Sequence, residues 1–136
     1  MKILIDTNVI LDALTARSQF KDNAEKLFLL AAEDKIGACI TASSVTDIYY
    51  LLSKHLKSRD QSKLSLQKMF ALFRILDVTG IDCERALELP MPDYEDALIA
   101  ACANRSKIDC IVTRNLKDFT NYPVKIMSPA DFLASL

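Results

Sequence analysis

Four short apolar runs, Ile3 to Ile5, Ala38 to Thr41, Cys110 to Thr113 and Val124 to Met127, are separated by segments whose apolar residues recur at helical spacing. Runs this short read as strands buried in a sheet. Strands that alternate with helices need crossover connections, and crossovers build a mainly parallel sheet with helices on both faces. The expected fold class is α/β, a single domain over residues 1–136 with a central sheet of four to five strands. A chain of this length has room for one such domain and buries a core without staples.

The helical segments follow in order. The first spans about Asn8 to Leu14, and Lys21 to Glu33 places Ala24, Leu27, Phe28 and Ala31 on one stripe. Ser43 and Ser44 are candidate caps for a helix carrying Val45, Ile48, Tyr49, Leu52 and Leu56. A polar SRDQS connection leads to a helix with Leu64, Met69, Leu72, Phe73 and Leu76. Asp77 to Gly80 is a brief strand candidate, and Asp82 a cap for a helix through Leu89. Pro90 and Pro92 interrupt the chain before DYEDALIAACANRS, whose alanines permit close packing. Pro129 opens a last helix, with Ser128 as its cap.

Composition removes several function classes. A hydrophobic fraction of 51% with mixed charges argues against disorder. No apolar run approaches the ~18–20 residues of a membrane span, and no leader-like segment opens the chain. A soluble, cytoplasmic protein is expected. Cys39, Cys83, Cys102 and Cys110 form no C-x-x-C and read as reduced, buried thiols. His55, the single histidine, is expected at the surface, which leaves no material for a His-rich zinc site or a Ser/His/Asp triad. With only Gly37 and Gly80, neither a P-loop nor a G-x-G-x-x-G fingerprint is present. Net charge is −1, yet Lys54, Lys57, Arg59, Lys63, Lys68 and Arg74 stand against one acid, Asp60. This is either a basic patch or a pair of solvated helix faces.

Acids recur where elements meet. Asp6 ends the first strand, Asp47 and Asp96 are placed in first turns of helices, and Asn115 and Asp118 follow the CIVT strand. Capping explains each alone: Asp6 accepts the N–H of N2 or N3, and Ser44 with Asp47, like Asp93 with Asp96, has the spacing of a capping box. What capping leaves unexplained is convergence. On a doubly wound sheet, strand tips and the helix starts after them share one edge, so these oxygens face one cleft. Carboxylates ~4 Å apart repel by about 4 kcal/mol at an effective dielectric near 20, which a divalent cation relieves. Oxygen donors without a His/Cys cluster suit Mg²⁺ or Mn²⁺ better than Zn²⁺.

The motifs IDTNVILD, ITASSVTDIYYLL, PDYEDALIAACA and IVTRNLKDF, in this order over nearly the whole chain, resemble the successive acidic motifs of PIN domains, particularly the VapC-like toxin ribonucleases of bacterial toxin–antitoxin modules. The resemblance implies that Asp6, Asp47 and Asp96 are catalytic, metal-binding carboxylates and that Thr113 is a strand-end hydroxyl ordering the site. It implies endonucleolytic RNA cleavage by activated water with Mg²⁺ or Mn²⁺, a small antitoxin partner and a homodimer. Two positions depart from the pattern. Many members carry Glu where this chain has Asp47, and Asn115 stands where a fourth acid is common, leaving Asp118 as a substitute and Asp93 as an additional carboxylate. A noncatalytic PIN-like RNA- or protein-binding regulatory module is the alternative that this reduced acid set leaves open.

Arg114, beside the expected site, and Lys54, Lys57 and Arg59 are candidates for RNA contact. Tyr49, Tyr50 and Phe28 are candidates for base stacking, against core packing or an oligomer contact. Asp12, Asp34 and Glu95 read as solvated or helix-end charges.

Overall fold

Every strand pairing in the sheet is parallel. In the computed structural model, which describes residues 1–15, 19–119, 122 and 124–136 with the Asp118 side chain outside the description, the chain runs β1 (Lys2–Ile5), α1 (Thr7–Leu14), α2 (Lys21–Ala32), β2 (Gly37–Thr41), α3 (Ala42–Leu56), α4 (Arg59–Leu72) and β3 (Arg74–Leu76). It continues through α5 (Gly80–Glu88), α6 (Tyr94–Arg105), β4 (Cys110–Val112), a 3-10 turn (Leu116–Phe119), β5 (Lys125–Met127) and α7 (Pro129–Ala134). The strand order is β3-β2-β1-β4-β5. β1 is therefore central, and the direction of winding reverses between it and β4, the place where open α/β sheets bind their ligands.

Side-chain alternation splits the core into two layers. Ile3, Ile5, Ala38, Ile40, Cys110 and Val112 pack with Val9 and Ile10 of α1, Leu27 of α2, Ile48 of α3, Met69 of α4 and Phe132 of α7. Leu4, Cys39 and Ile111 point the other way, onto Ile99, Ala100 and Ala103 of α6. The alanines of α6 also admit α5, where Ala86 meets Ala97 and Ala101. Helices thus cover both faces, as the alternation of elements requires, and no helix among the described residues is long and apolar enough to cross a membrane.

Local boundaries differ from the sequence reading in four places. The third strand is Arg74–Leu76, not Asp77 to Gly80, because α4 ends at Leu72. SRDQS is the start of α4, with the Ser58 hydroxyl accepting the N–H of Gln61, rather than a connection. Thr79, not Asp82, caps α5; Asp82 completes the reciprocal capping box. Finally, α3 begins at Ala42, so Ser43 and Ser44 lie inside it, each hydrogen-bonded to the Thr41 hydroxyl, and Asp47 falls in the second turn instead of a capping box. Of the four cysteines, Cys39, Cys102 and Cys110 are buried as expected, but Cys83 is exposed.

Candidate active site

β1 delivers Asp6 to the sheet's carboxyl edge, and its backbone continues the ladder one step further, the Asp6 N–H donating to the Val112 carbonyl at 3.0 Å. That bond sets Asp6 beside Thr113. The Asp6 side chain is 6% exposed and is held from three sides. Oδ1 accepts the N–H of Thr7 at 2.8 Å, the helix cap expected for it, though from the first helical residue rather than the second or third. Oδ2 accepts the Thr113 hydroxyl at 2.8 Å and the Asn8 amide at 3.4 Å. The Thr113 oxygen accepts in turn the backbone N–H of Asn115 at 3.1 Å. These bonds orient the Asp6 carboxylate at the cleft that it lines.

A cleft of about 340 Å³ opens there, lined by Asp6, Thr7, Asn8, Leu11, Leu51, Asp93, Glu95, Asp96, Ile99 and Asn115. Asp93 caps α6, its Oδ1 accepting the N–H of Asp96 at 3.0 Å, and the cap and first turn together present Asp93, Glu95 and Asp96 to the cleft. Asp47 is not part of this lining. The neighbouring Asp47 carboxyl, then partial burial and the charges of Asp47, Asp93 and Asp6, push the Glu95 pKa above the ordinary carboxylate value. Of the residues expected to converge, Asp6, Asp96 and Asn115 line one cleft, joined by Asp93, the additional carboxylate, whereas Asp47 is outside the lining. Among the described residues, no group of three or more His, Cys, Asp or Glu side chains closes on one point.

Glu95 is the residue that sequence reasoning passed over. It is exposed in the first turn of α6, as expected of a solvated helix-end charge, but it also lines the cleft. Its position next to Asp96 in the first turn of α6 was the available signal. Asp12 is also corrected: it is 1% exposed, not solvated. Its partner is Arg114, whose Nε and Nη2 bond to Oδ2 at 2.6 Å and Oδ1 at 3.2 Å while the guanidinium lies 4.1 Å from the Phe20 ring centroid. Arg114 thus braces the loop after β4 against α1, and it is absent from the acidic lining. Asp34 is exposed, as read.

Lys54, Lys57 and Arg59 are exposed at the junction of α3 and α4, outside the cleft lining. His55 is exposed too. Phe28 is a packing residue, edge-on to Phe73 with centroids 4.8 Å apart. The Asp118 side chain lies outside the described residues. A larger hollow, about 450 Å³, sits between Phe20, Asn23, Arg114 and the start of α7. It contains no acid, so volume and chemistry point to different places, and the chemistry lies at the strand tips.

A family model described as PIN domain matches residues 2–117. Among solved structures, VapBC2 from Rickettsia felis, bound to a DNA fragment from its promoter, superposes with a TM-score of 0.72 at 22% identity, over 94% of this chain and 98% of that one. DNA-bound VapBC from Salmonella typhimurium gives 0.72 at 19% identity, over 95% and 98%. VapC20 from Mycobacterium tuberculosis, a Sarcin-Ricin loop cleaving toxin, gives 0.65 at 17% identity, over 80% and 86%. No curated protein matches significantly. At these identities the structural likeness shows a common fold.

Proposed function

The chain belongs to the PIN-domain family, and from that premise we propose that it is a Mg²⁺- or Mn²⁺-dependent endoribonuclease, the toxin of a toxin–antitoxin pair acting on cytoplasmic RNA. The observation that carries this reading is the acidic cleft at the tips of β1 and β4, where Asp6, Asp93, Glu95 and Asp96 line one hollow.

The donor set fits a hard cation. All side-chain donors lining the cleft are oxygens of carboxylates, a hydroxyl and amides, and no lysine or arginine lines it among the described residues. Mg²⁺ takes one or two carboxylates and completes its shell with water and substrate phosphate, so an open acidic lining suits it better than a closed cage. Asp6 and Asp96 would hold the ion, and Asp93 and Asn115 offer further oxygens. When bound, such an ion polarises the phosphoryl group and lowers the pKa of attacking water. The protein's own part is preorganisation: Thr113, Asn8 and the Thr7 N–H fix Asp6 before substrate arrives.

The test is incubation of the purified protein with a mixed RNA pool, with and without Mg²⁺, alongside Asp6→Ala. Cleavage that needs metal and disappears in the variant supports the reading; cleavage that survives the substitution places the activity elsewhere. Titration calorimetry with Mn²⁺ should show binding that Asp6→Asn with Asp96→Asn abolishes. The antitoxin partner and a homodimer are proposed by extension from the VapBC structures that match over nearly their whole length. Co-purification with the product of an adjoining short reading frame, and sedimentation of the isolated protein, check them.

A further inference from the structure

One stripe of α3 leads out of the acidic cleft. Asp47, Tyr50, Leu51 and Lys54 stand at i, i+3, i+4 and i+7, the spacing that puts side chains over one another on a helix. Leu51 of this stripe lines the cleft. At the stripe's outer end Tyr50 is 60% exposed, and the Lys54 ammonium lies 5.4 Å from its ring centroid. The other candidate aromatics are engaged or less open: Phe28 packs on Phe73, and Tyr49 is half-buried.

We propose that this stripe is a track for single-stranded RNA, with a base stacked on Tyr50 and a phosphate on Lys54 just beyond the cut site; the assignment rests on the ribonuclease reading above. An ammonium over one face of an aromatic ring leaves the other face free, and any base can stack there because each has a π-face. Charge selects the same occupant. Lys57 caps the end of α3 in a left-handed conformation, φ 55°, and Arg59 opens α4, so three exposed basic residues, Lys54, Lys57 and Arg59, fall at this corner. The cleft itself carries acids, which attract a cation but repel bare phosphates. A strand cut there needs cationic and stacking contacts beside it, and the seven-residue step from Asp47 to Lys54 covers about 10 Å of helix, a span of one to three nucleotides.

Fluorescence anisotropy of a labelled single-stranded RNA in EDTA, over a range of salt, tests this with wild type, Tyr50→Ala, Tyr50→Phe and Lys54→Gln, each also assayed for cleavage and by sedimentation. Tyr50→Ala should weaken binding about five- to hundredfold while Tyr50→Phe retains it. Lys54→Gln should reduce the slope of log K against log salt by about 0.7. If wild type binds and cuts RNA and Tyr50→Ala binds as tightly, the track is overturned and the ribonuclease reading stands. If wild type neither binds nor cuts RNA, both fall. A Tyr50→Ala variant with an altered association state assigns this face to contact between copies of the chain and overturns the RNA track.

Discussion

The Thr113 hydroxyl donates a 2.8 Å hydrogen bond to Oδ2 of Asp6, joining residues 107 positions apart. Both are buried, and the bond exists because β1 and β4 are neighbours in register, Ile5 opposite Val112. Thr113→Val keeps the shape and removes the donor. Cleavage should fall about ten- to hundredfold, the worth of a hydrogen bond to a charged group, with Thr113→Ser close to wild type. Equal rates for Val and wild type would take Thr113 out of the site.

The Asp12–Arg114 pair predicts a stability effect. Arg114→Ala leaves a carboxylate that is 1% exposed without its bidentate partner, which costs about 3–5 kcal/mol. Urea denaturation should show this loss, and Asp12→Leu combined with Arg114→Leu should recover much of it. A single variant within about 1 kcal/mol of wild type would contradict the brace.

Glu95 predicts an opposite effect. Its pKa is raised in the folded protein, so folding is favoured at low pH and weakened as pH rises through the folded value. Because the group is largely solvated, the repulsion is screened and the effect small. Glu95→Gln should raise Tm by roughly 1–2 °C at pH 7 and leave it unchanged near pH 4. Added Mn²⁺ should stabilise wild type more than this variant. A variant less stable than wild type at pH 7 would show that Glu95 and Asp47 do not strain one another.

On the opposite layer, Asp82 accepts Arg105 Nε at 2.8 Å and 3.1 Å and the Thr79 N–H at 2.9 Å. Burial pushes its pKa up, but the bonds from Arg105 and Thr79 and the guanidinium charge outweigh this and hold it below the ordinary value. The stability it contributes is complete above about pH 4 and is lost as pH falls below that. Asp82→Asn should cost about 1–3 kcal/mol at pH 7 and flatten the acid limb of the stability profile. An acid limb identical to wild type would remove the pair from the account.

Buried strands and long amphipathic helices were legible in the sequence because their patterns are local. Ile3 to Ile5 and Cys110 to Thr113 declare themselves by composition, and the acids at their tips follow from topology. β3 was misplaced because Leu72, Phe73 and Leu76 continue the helical period of α4, while Arg74 and Ile75, on an edge strand, are both exposed. The Asp12–Arg114 brace was illegible for another reason: its members are 102 residues apart, and a lone acid on a short helix carries no local mark of burial. Glu95 was hidden by its neighbour, since two adjacent acids at a helix start look like one macrodipole motif until the cleft shows that both face it.

The central place of β1 also sets a timetable. Asp6 leaves the ribosome 107 residues ahead of Thr113, an interval of about 5–20 s at ordinary elongation rates of about 5–20 residues per second. Throughout that interval the acid at the tip of the innermost strand lacks its hydroxyl partner, and for most of it the wall that α6 supplies is missing too. The acidic edge of the sheet is thus assembled only when the last third of the domain, α6 and β4, has been made.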